Sequence, residues 1–234
     1  MNQPPPQTSQ SESKLQRTLE PEAMDAAEEV REYEKMNHEA VNNAFVDDLK
    51  AGGPVGPKVM DLGCGTGEIA ILLCQRLEDV QVMGVDLSVE MLEAARIEIE
   101  LGGVQGRVFL EHADCKSLDH FEPGSSDTVI SNTVLHHIAD PEPFLRCAVH
   151  VLAPGGRLFL RDLVRPADEA SVEALVALHG EGETEYAQQL LRQSLHAALT
   201  IAEIQELAQP LGIPASAINA TSDRHWTIDW VKPS

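Results

Sequence analysis

From about residue 55 onward, short apolar runs alternate with stretches whose apolar residues recur every three to four positions. The runs at 59–62, 80–86, 107–112, 126–131 and 157–163 are bounded by glycine, proline or polar turn residues and read as strands. The segments between them, such as 68–77 and the stretch opening at Met91, carry the helical period. Strands separated by helices predict an α/β domain with a mostly parallel sheet and helices on both faces. Two further strands, 217–221 and 225–231, bring the expected count to seven, with a tight hairpin around Ser222, Asp223 and Arg224.

The flanks of this core differ from it. Residues 1–15 are rich in Pro, Gln and Ser, have little to bury, and are expected to be a disordered tail. Over 16–50 an N-terminal helical cap is expected, because Tyr33, Met36, Ala40, Ala44, Phe45 and Leu49 recur at helical intervals. The main domain is placed at 51–234, with a helical insertion at about 168–198. Thr200 and Glu203 match a capping box that opens another helix.

The chemistry concentrates where the first strand ends, in Asp61-Leu62-Gly63-Cys64-Gly65-Thr66-Gly67-Glu68. Glycines there allow a sharp turn and let a ligand lie against main chain. The helix that follows aims unpaired N–H groups and its positive dipole end at that turn. A dinucleotide fingerprint would need glycine at position 68, where Glu68 stands, and no lysine follows the glycines as a phosphate loop requires. Asp86 closes the second strand and can accept two ribose hydroxyls, while Ser88 can cap the next helix.

The glycine pattern together with Asp86 resembles the cofactor site of class I S-adenosylmethionine-dependent methyltransferases of the small-molecule type. The resemblance covers about 58–161 well and the remainder loosely. It implies a Rossmann-like fold, S-adenosyl-L-methionine as cofactor, S-adenosyl-L-homocysteine as product, and direct in-line methyl transfer to a small-molecule acceptor. It assigns cofactor contacts to Asp61, Gly63, Cys64, Gly65, Gly67, Asp86, Leu87, Asp114, Cys115 and Asn132. Leu87 would pack on the adenine, Asp114 would accept from the adenine amino group, and Cys115 would contribute main chain.

Acceptor and catalytic residues follow from position. His136 and His137 lie just after the fourth strand, at the carboxyl edge where open α/β sheets bind ligands, and His225 opens the last strand. These are the candidate bases, needed only if the acceptor loses a proton; a structural hydrogen bond is the competing role. Candidate substrate contacts are Tyr33, Asn37, His38 and Asn42 on the N-terminal helix, Arg161 and Arg165 after the fifth strand, Tyr186 with Gln189 and Arg192 in the insertion, and Arg224 in the final hairpin. No metal is expected, since adjacent histidines on a helix face diverge too far to share one ion.

Net charge is -21 over 234 residues, which disfavours nucleic acid and anionic lipid as partners. Four cysteines without paired spacing, and no stretch of transmembrane length or signal-peptide pattern, lead to the expectation of a cytoplasmic protein, monomeric or homodimeric. A catalytically silent S-adenosylmethionine-binding protein acting through protein interactions is the alternative function. A nicotinamide dehydrogenase is disfavoured by Glu68.

Overall fold

The computed structural model of the chain describes residues 15–20 and 39–234. Seven strands form one sheet in the order β3-β2-β1-β4-β5-β7-β6. They are β1 (Lys58–Leu62), β2 (Gln81–Asp86), β3 (Val108–His112), β4 (Ser126–Asn132), β5 (Leu152–Leu163), β6 (Ile218–Ala220) and β7 (His225–Val231). β1 to β5 pair in parallel, and β7 runs antiparallel between β5 and β6. The chain works outward from β1 to β3 and then returns to place β4 on the other side of β1. Connections leaving β1 and β4 therefore diverge at their carboxyl ends, opening a crevice there.

The helices are α1 (Glu39–Gly52), α2 (Glu68–Arg76), α3 (Val89–Leu101), α4 (Glu142–Val151), α5 (Glu169–His179), α6 (Glu185–Ala197) and α7 (Ile201–Ala208). On one face of the sheet, Phe45 and Leu49 from α1, Leu73 from α2 and Ala95 from α3 meet Val82, Ile130 and Phe159. On the other, Leu145 and Ala148 from α4 and Ile204 from α7 meet Leu62, Val129, Leu158 and Trp226. Each sheet face is thus sealed by apolar side chains, which is why the parallel strands read as nearly continuous hydrophobic runs. Ser88 caps α3 by accepting from the Met91 N–H at 3.2 Å, and Thr200 and Glu203 form the expected capping box of α7.

Two departures from the sequence reading bear on the site. β5 begins at Leu152 rather than 157, because Ser126 pairs with Leu152 across a register shift before regular pairing resumes at Thr128. Residues 15–20 carry no helix; they run as a strap along the carboxyl edge of the sheet, with the Thr18 N–H donating to the His196 carbonyl at 3.1 Å. Tyr33, Asn37 and His38 lie outside the described residues. Among the described residues, no helix is long and apolar enough to cross a membrane.

Candidate functional site

The glycine turn after β1 is pinned to β2, since the N–H groups of Gly63 and Cys64 both donate to the Val85 carbonyl, at 2.8 and 3.1 Å. Gly63, Gly65 and Gly67 all have positive φ, at 73°, 53° and 78°. A Cβ on Gly63 would stand 2.4 Å from Val134, so the loop after β4 closes directly over the turn. A Cβ on Gly65 would meet nothing within 4 Å, and this bare backbone forms part of a cleft wall.

That cleft, with a volume of about 360 Å³, runs from the glycine turn across the ends of β2 and β4 to the insertion helices. At one end stands Asp86. Its Oδ2 accepts from the Gly65 N–H at 2.8 Å and its Oδ1 from the Ser88 N–H at 2.9 Å, so the carboxylate is rigidly aimed while keeping lone pairs for a ligand. Burial raises its pKa, and the N–H groups of Ser88, Gly65 and Leu87 oppose that rise. Beside it Leu87 is 40 % exposed, an apolar face presented to the cleft. Asp114 and Cys115 line the same end, Asp114 accepting from the Lys116 N–H at 2.8 Å. Asn132 lines the wall, and its Oδ1 is buried without a hydrogen-bond partner among the described residues. An orphaned acceptor of this kind calls for a donor from a ligand.

These features fit S-adenosylmethionine. Bare glycine backbone, the Asp86 carboxylate, the exposed Leu87 and the orphaned Asn132 acceptor lie along one wall, a set able to meet hydroxyls, an apolar ring and a cationic donor. Asp61, expected among the contacts, lies beneath the turn instead of on that wall; it is 2 % exposed, and its Oδ2 lacks a partner among the described residues. Burial, and then the charge of Asp86, push its pKa up to about 7. Burial likewise pushes the thiols of Cys64 and Cys115 well up, so both are packing groups and neither is a thiolate nucleophile.

The other end of the cleft is built on a 3₁₀ turn, Leu135–His137, that follows β4. His136 is buried, and its Nδ1 lies 2.6 Å from Oδ1 of Asp162 on β5. Asp162 also accepts from the N–H groups of Leu135 at 2.6 Å, His136 at 3.3 Å and Leu163 at 2.6 Å, which fixes its orientation. Burial alone would raise the Asp162 pKa, but His136 beside it holds it below its ordinary value. Burial would lower the His136 pKa, yet Asp162 and Glu20 together hold it above its ordinary value.

Glu20 arrives on the N-terminal strap. Arg17 anchors that strap, its guanidinium donating to the carbonyls of Ile138 at 2.8 Å, Ala139 at 3.2 Å and Ala197 at 2.7 Å, with longer contacts to those of Leu135 and His136. Oε1 of Glu20 then lies 3.2 Å from Nε2 of His136 and 3.2 Å from Nδ1 of His137, and the carboxylate also accepts from Ser194 at 3.2 Å. Burial raises the Glu20 pKa and His136 opposes the rise. Neither Glu20 nor Ser194 stood out in the sequence. A lone glutamate before a proline carries no spacing that links it to a turn more than a hundred residues away.

His225 also lines the cleft, with Nδ1 2.8 Å from the Ser222 hydroxyl. Burial, followed by the charges of Arg224 and Arg161, pushes its pKa down to about 4, so it is a neutral hydrogen-bonding group and a poor base at pH 7. Arg224 reaches the cleft as expected, and so does Asn42, whose Nδ2 donates to Glu68.

Five expected substrate contacts, Arg161, Arg165, Tyr186, Gln189 and Arg192, are not on the cleft. Arg161 lies in a separate hollow with Thr227 and Phe159, donating to Asp48 at 2.7 Å. Arg165 is buried and clamps Glu203 at 2.6 Å and the Ala198 carbonyl at 3.0 Å, tying the end of β5 to α7. Tyr186 is 48 % exposed on the outer side of α6, and Arg192 pairs with Glu173 at 2.6 Å. The insertion does wall the cleft, but through Ala187, Leu190, Leu191 and Ser194, the stripe one helical step away from the polar residues first suspected.

A methyltransferase-domain family model matches residues 55–213. The chain is 37 % identical over 119 residues to the 27-O-demethylrifamycin SV methyltransferase of Amycolatopsis mediterranei, an alignment covering 51 % of this chain and 43 % of that one. It is 30 % identical over 182 residues to the ubiquinone biosynthesis O-methyltransferase of Psychrobacter arcticus, covering 74 % of this chain and 67 % of that one. The chain thus spans between about two fifths and two thirds of the length of these two relatives. Among solved structures, a SAM-dependent methyltransferase from Aquifex aeolicus superposes with a TM-score of 0.66 at 14 % identity, covering 88 % of this chain and 98 % of that one. The plantazolicin methyltransferase BamL, solved with SAH and a triazolic desmethylPZN analog, gives a TM-score of 0.65 at 15 % identity over 82 % of this chain and 70 % of that one. With the strand order, the glycine turn and Asp86 in the positions described, the chain belongs to the class I S-adenosylmethionine-dependent methyltransferases.

Proposed function

We propose that this protein transfers the methyl group of S-adenosylmethionine to a hydroxyl oxygen of a small, largely apolar molecule. One observation carries the reading: a single cleft joins the glycine turn and Asp86 to the cluster of Glu20, His136 and His137, so donor and acceptor ends share one cavity. When bound, the cofactor supplies a methyl group already electrophilic on its sulfonium. The protein's task is to hold an oxygen in line behind that carbon and keep water out, and positioning of this kind can contribute about 7–11 kcal/mol.

Val134, Ile138, Leu163, Leu190 and Leu191 give the acceptor end an apolar wall. Its polar groups gather at one side, in His136, His137, Glu20 and Ser194. An acceptor with a hydrophobic body and a hydroxyl fits that division. The O-methyltransferase names of the two relatives support a hydroxyl acceptor. A hydroxyl must shed its proton as it gains the methyl, and the Asp162–His136 pair presents an oriented imidazole at that side of the cavity. Four free thiols support a reducing compartment, the cytoplasm.

The test is mass spectrometry of a metabolite extract incubated with the full chain and the donor, seeking products one methyl heavier together with S-adenosylhomocysteine. With the product identified, His136→Ala should lower kcat by about 10²–10⁴-fold and leave the S-adenosylhomocysteine Kd within about twofold of wild type. Cofactor binding with no methylated product from any acceptor would leave a silent S-adenosylmethionine-binding protein in its place.

A further inference from the structure

The acceptor end holds a second arrangement that methyl transfer does not require. The 3₁₀ turn lays the His136 and His137 rings side by side, with centroids 4.1 Å apart and planes tilted by 35°. Nε2 of His136 and Nδ1 of His137 lie within 4.8 Å of each other, although the residues are adjacent. Glu20 brings a carboxylate oxygen to 3.2 Å from each nitrogen. We propose that Glu20, His136 and His137 form a binding site for one divalent transition-metal ion of the zinc type, with Asp162 orienting His136 from behind.

Four observations carry this. The first is spacing. Ligand atoms about 2.0–2.2 Å from a tetrahedral ion lie about 3.3–3.6 Å from one another; the two oxygen-to-nitrogen separations are already near this, and all three atoms lie within 4.8 Å of one another. The second is the tautomer. Nδ1–H of His136 donates to Asp162 at 2.6 Å, which leaves the lone pair of the neutral ring on Nε2, facing Glu20. A carboxylate behind a histidine in this way is the usual support of a metal-bound imidazole. The third is charge. The side chains of Glu20 and Asp162 are 8 % and 1 % exposed, and the nearby Arg17 guanidinium is spread over main-chain carbonyls. A divalent cation between the imidazoles and Glu20 would offset the cost of burying these carboxylates. The fourth is access. All three ligands line the cleft, so the fourth position of a tetrahedral ion opens toward the acceptor. Two histidines and a carboxylate with one open position are the ligand set of catalytic zinc sites.

The expectation that adjacent histidines diverge too far to share an ion assumed a helix face; here their side chains bring Nε2 of His136 and Nδ1 of His137 within 4.8 Å of each other. Nε2 of His136 cannot hold the ion and take an acceptor's proton at once, so the ion-bound and the proton-accepting imidazole are alternative states; ion binding itself does not rest on the methyl-transfer reading. The competing account of the same distances is a carboxylate accepting N–H bonds from both rings, with no ion.

Cobalt distinguishes them. Chelator-treated full-length protein, without cofactor or acceptor, is titrated with Co²⁺ and followed by its visible d–d absorption, with Zn²⁺ competition and equilibrium dialysis for stoichiometry. We expect one ion per chain, displaced by Zn²⁺. Glu20→Gln and His137→Gln should weaken it by about 100-fold or more, and Asp162→Asn by about 10–100-fold. His137 is partly exposed, so its variant is the safer one for folding, checked by circular dichroism and retained S-adenosylhomocysteine binding. Absence of saturable binding, affinity unchanged in the folded His137→Gln protein, or an intense thiolate-to-cobalt band placing the ion on cysteine would each overturn the site. No outcome depends on turnover, so failure here leaves the methyl-transfer reading standing, and failure of that reading leaves the ion site standing.

Discussion

Asp61→Asn isolates the cost of keeping a carboxylate beneath the glycine turn. The side chain is 2 % exposed, one oxygen has no partner among the described residues, and burial next to Asp86 lifts the pKa from 3.8 to about 7. The folded protein therefore holds this proton more tightly than the unfolded chain does. Its contribution favours the folded state below about pH 4, and is lost as pH rises through the interval up to about 7. The gap corresponds to about 4 kcal/mol, a ceiling that relaxation and entering water reduce to about 2–4 kcal/mol. The amide removes the ionisation but places an Nδ2 where an oxygen lacked a partner, at a cost of about 1 kcal/mol or more. Urea unfolding of the cofactor-free protein at pH 5 and pH 8 reads both effects. At pH 5 the variant should match wild type or fall slightly below it; at pH 8 it should be about 1–3 kcal/mol more stable. Asp86 is present in both proteins, and its repulsion of an ionised Asp61 is part of the penalty that the comparison reads. Parallel stability profiles across that interval would show that Asp61 ionises without penalty and would refute the reasoning.

Three further outcomes follow from the geometry. Asp86→Ala removes the acceptor for the Gly65 and Ser88 N–H groups as well as the proposed ribose contact; calorimetry should show S-adenosylhomocysteine binding weakened by about 10–100-fold, equivalent to about 1.4–2.7 kcal/mol. Arg17→Ala frees the strap from its carbonyl acceptors, and hydrogen exchange should speed up by about tenfold or more at residues 15–20 and 135–139 while the central strands keep their protection. Arg165→Ala breaks a clamp between β5 and α7; because Glu203 is partly exposed, the expected loss is about 1–3 kcal/mol in thermal unfolding, with KM for the acceptor unchanged.

The sheet was legible because each strand is a short apolar run closed by a turn residue, and that pattern survives without any knowledge of pairing. The geometry of the glycine-turn end was legible for a related reason: Gly63, Gly65 and Asp86 take their places through backbone shape and strand position, both written locally. The acceptor end is assembled from distant pieces. Arg161 and Arg165 stood at the right edge of the sheet, but a strand alternates its faces and Arg161 was drawn to Asp48 on α1. In α6, polar residues drew attention, whereas the stripe facing the cleft is Ala187, Leu190, Leu191 and Ser194. Glu20 was hidden most deeply, since its placement depends on Arg17 finding carbonyls exposed by a turn after β4. No local periodicity encodes a contact of that range.

The Arg17 anchor also determines where the working unit begins. A fragment cut at residue 55, where the methyltransferase-domain match starts, would retain every strand, the glycine turn and Asp86, but it would lose α1, whose Phe45 and Leu49 seal one face of the sheet. It would lack Glu20 and the clasp over the 135–139 loop, leaving the far side of the cavity ajar. Trimming to residues 55–213 would remove β6 and β7 as well, so the recognisable domain is less than the working tool.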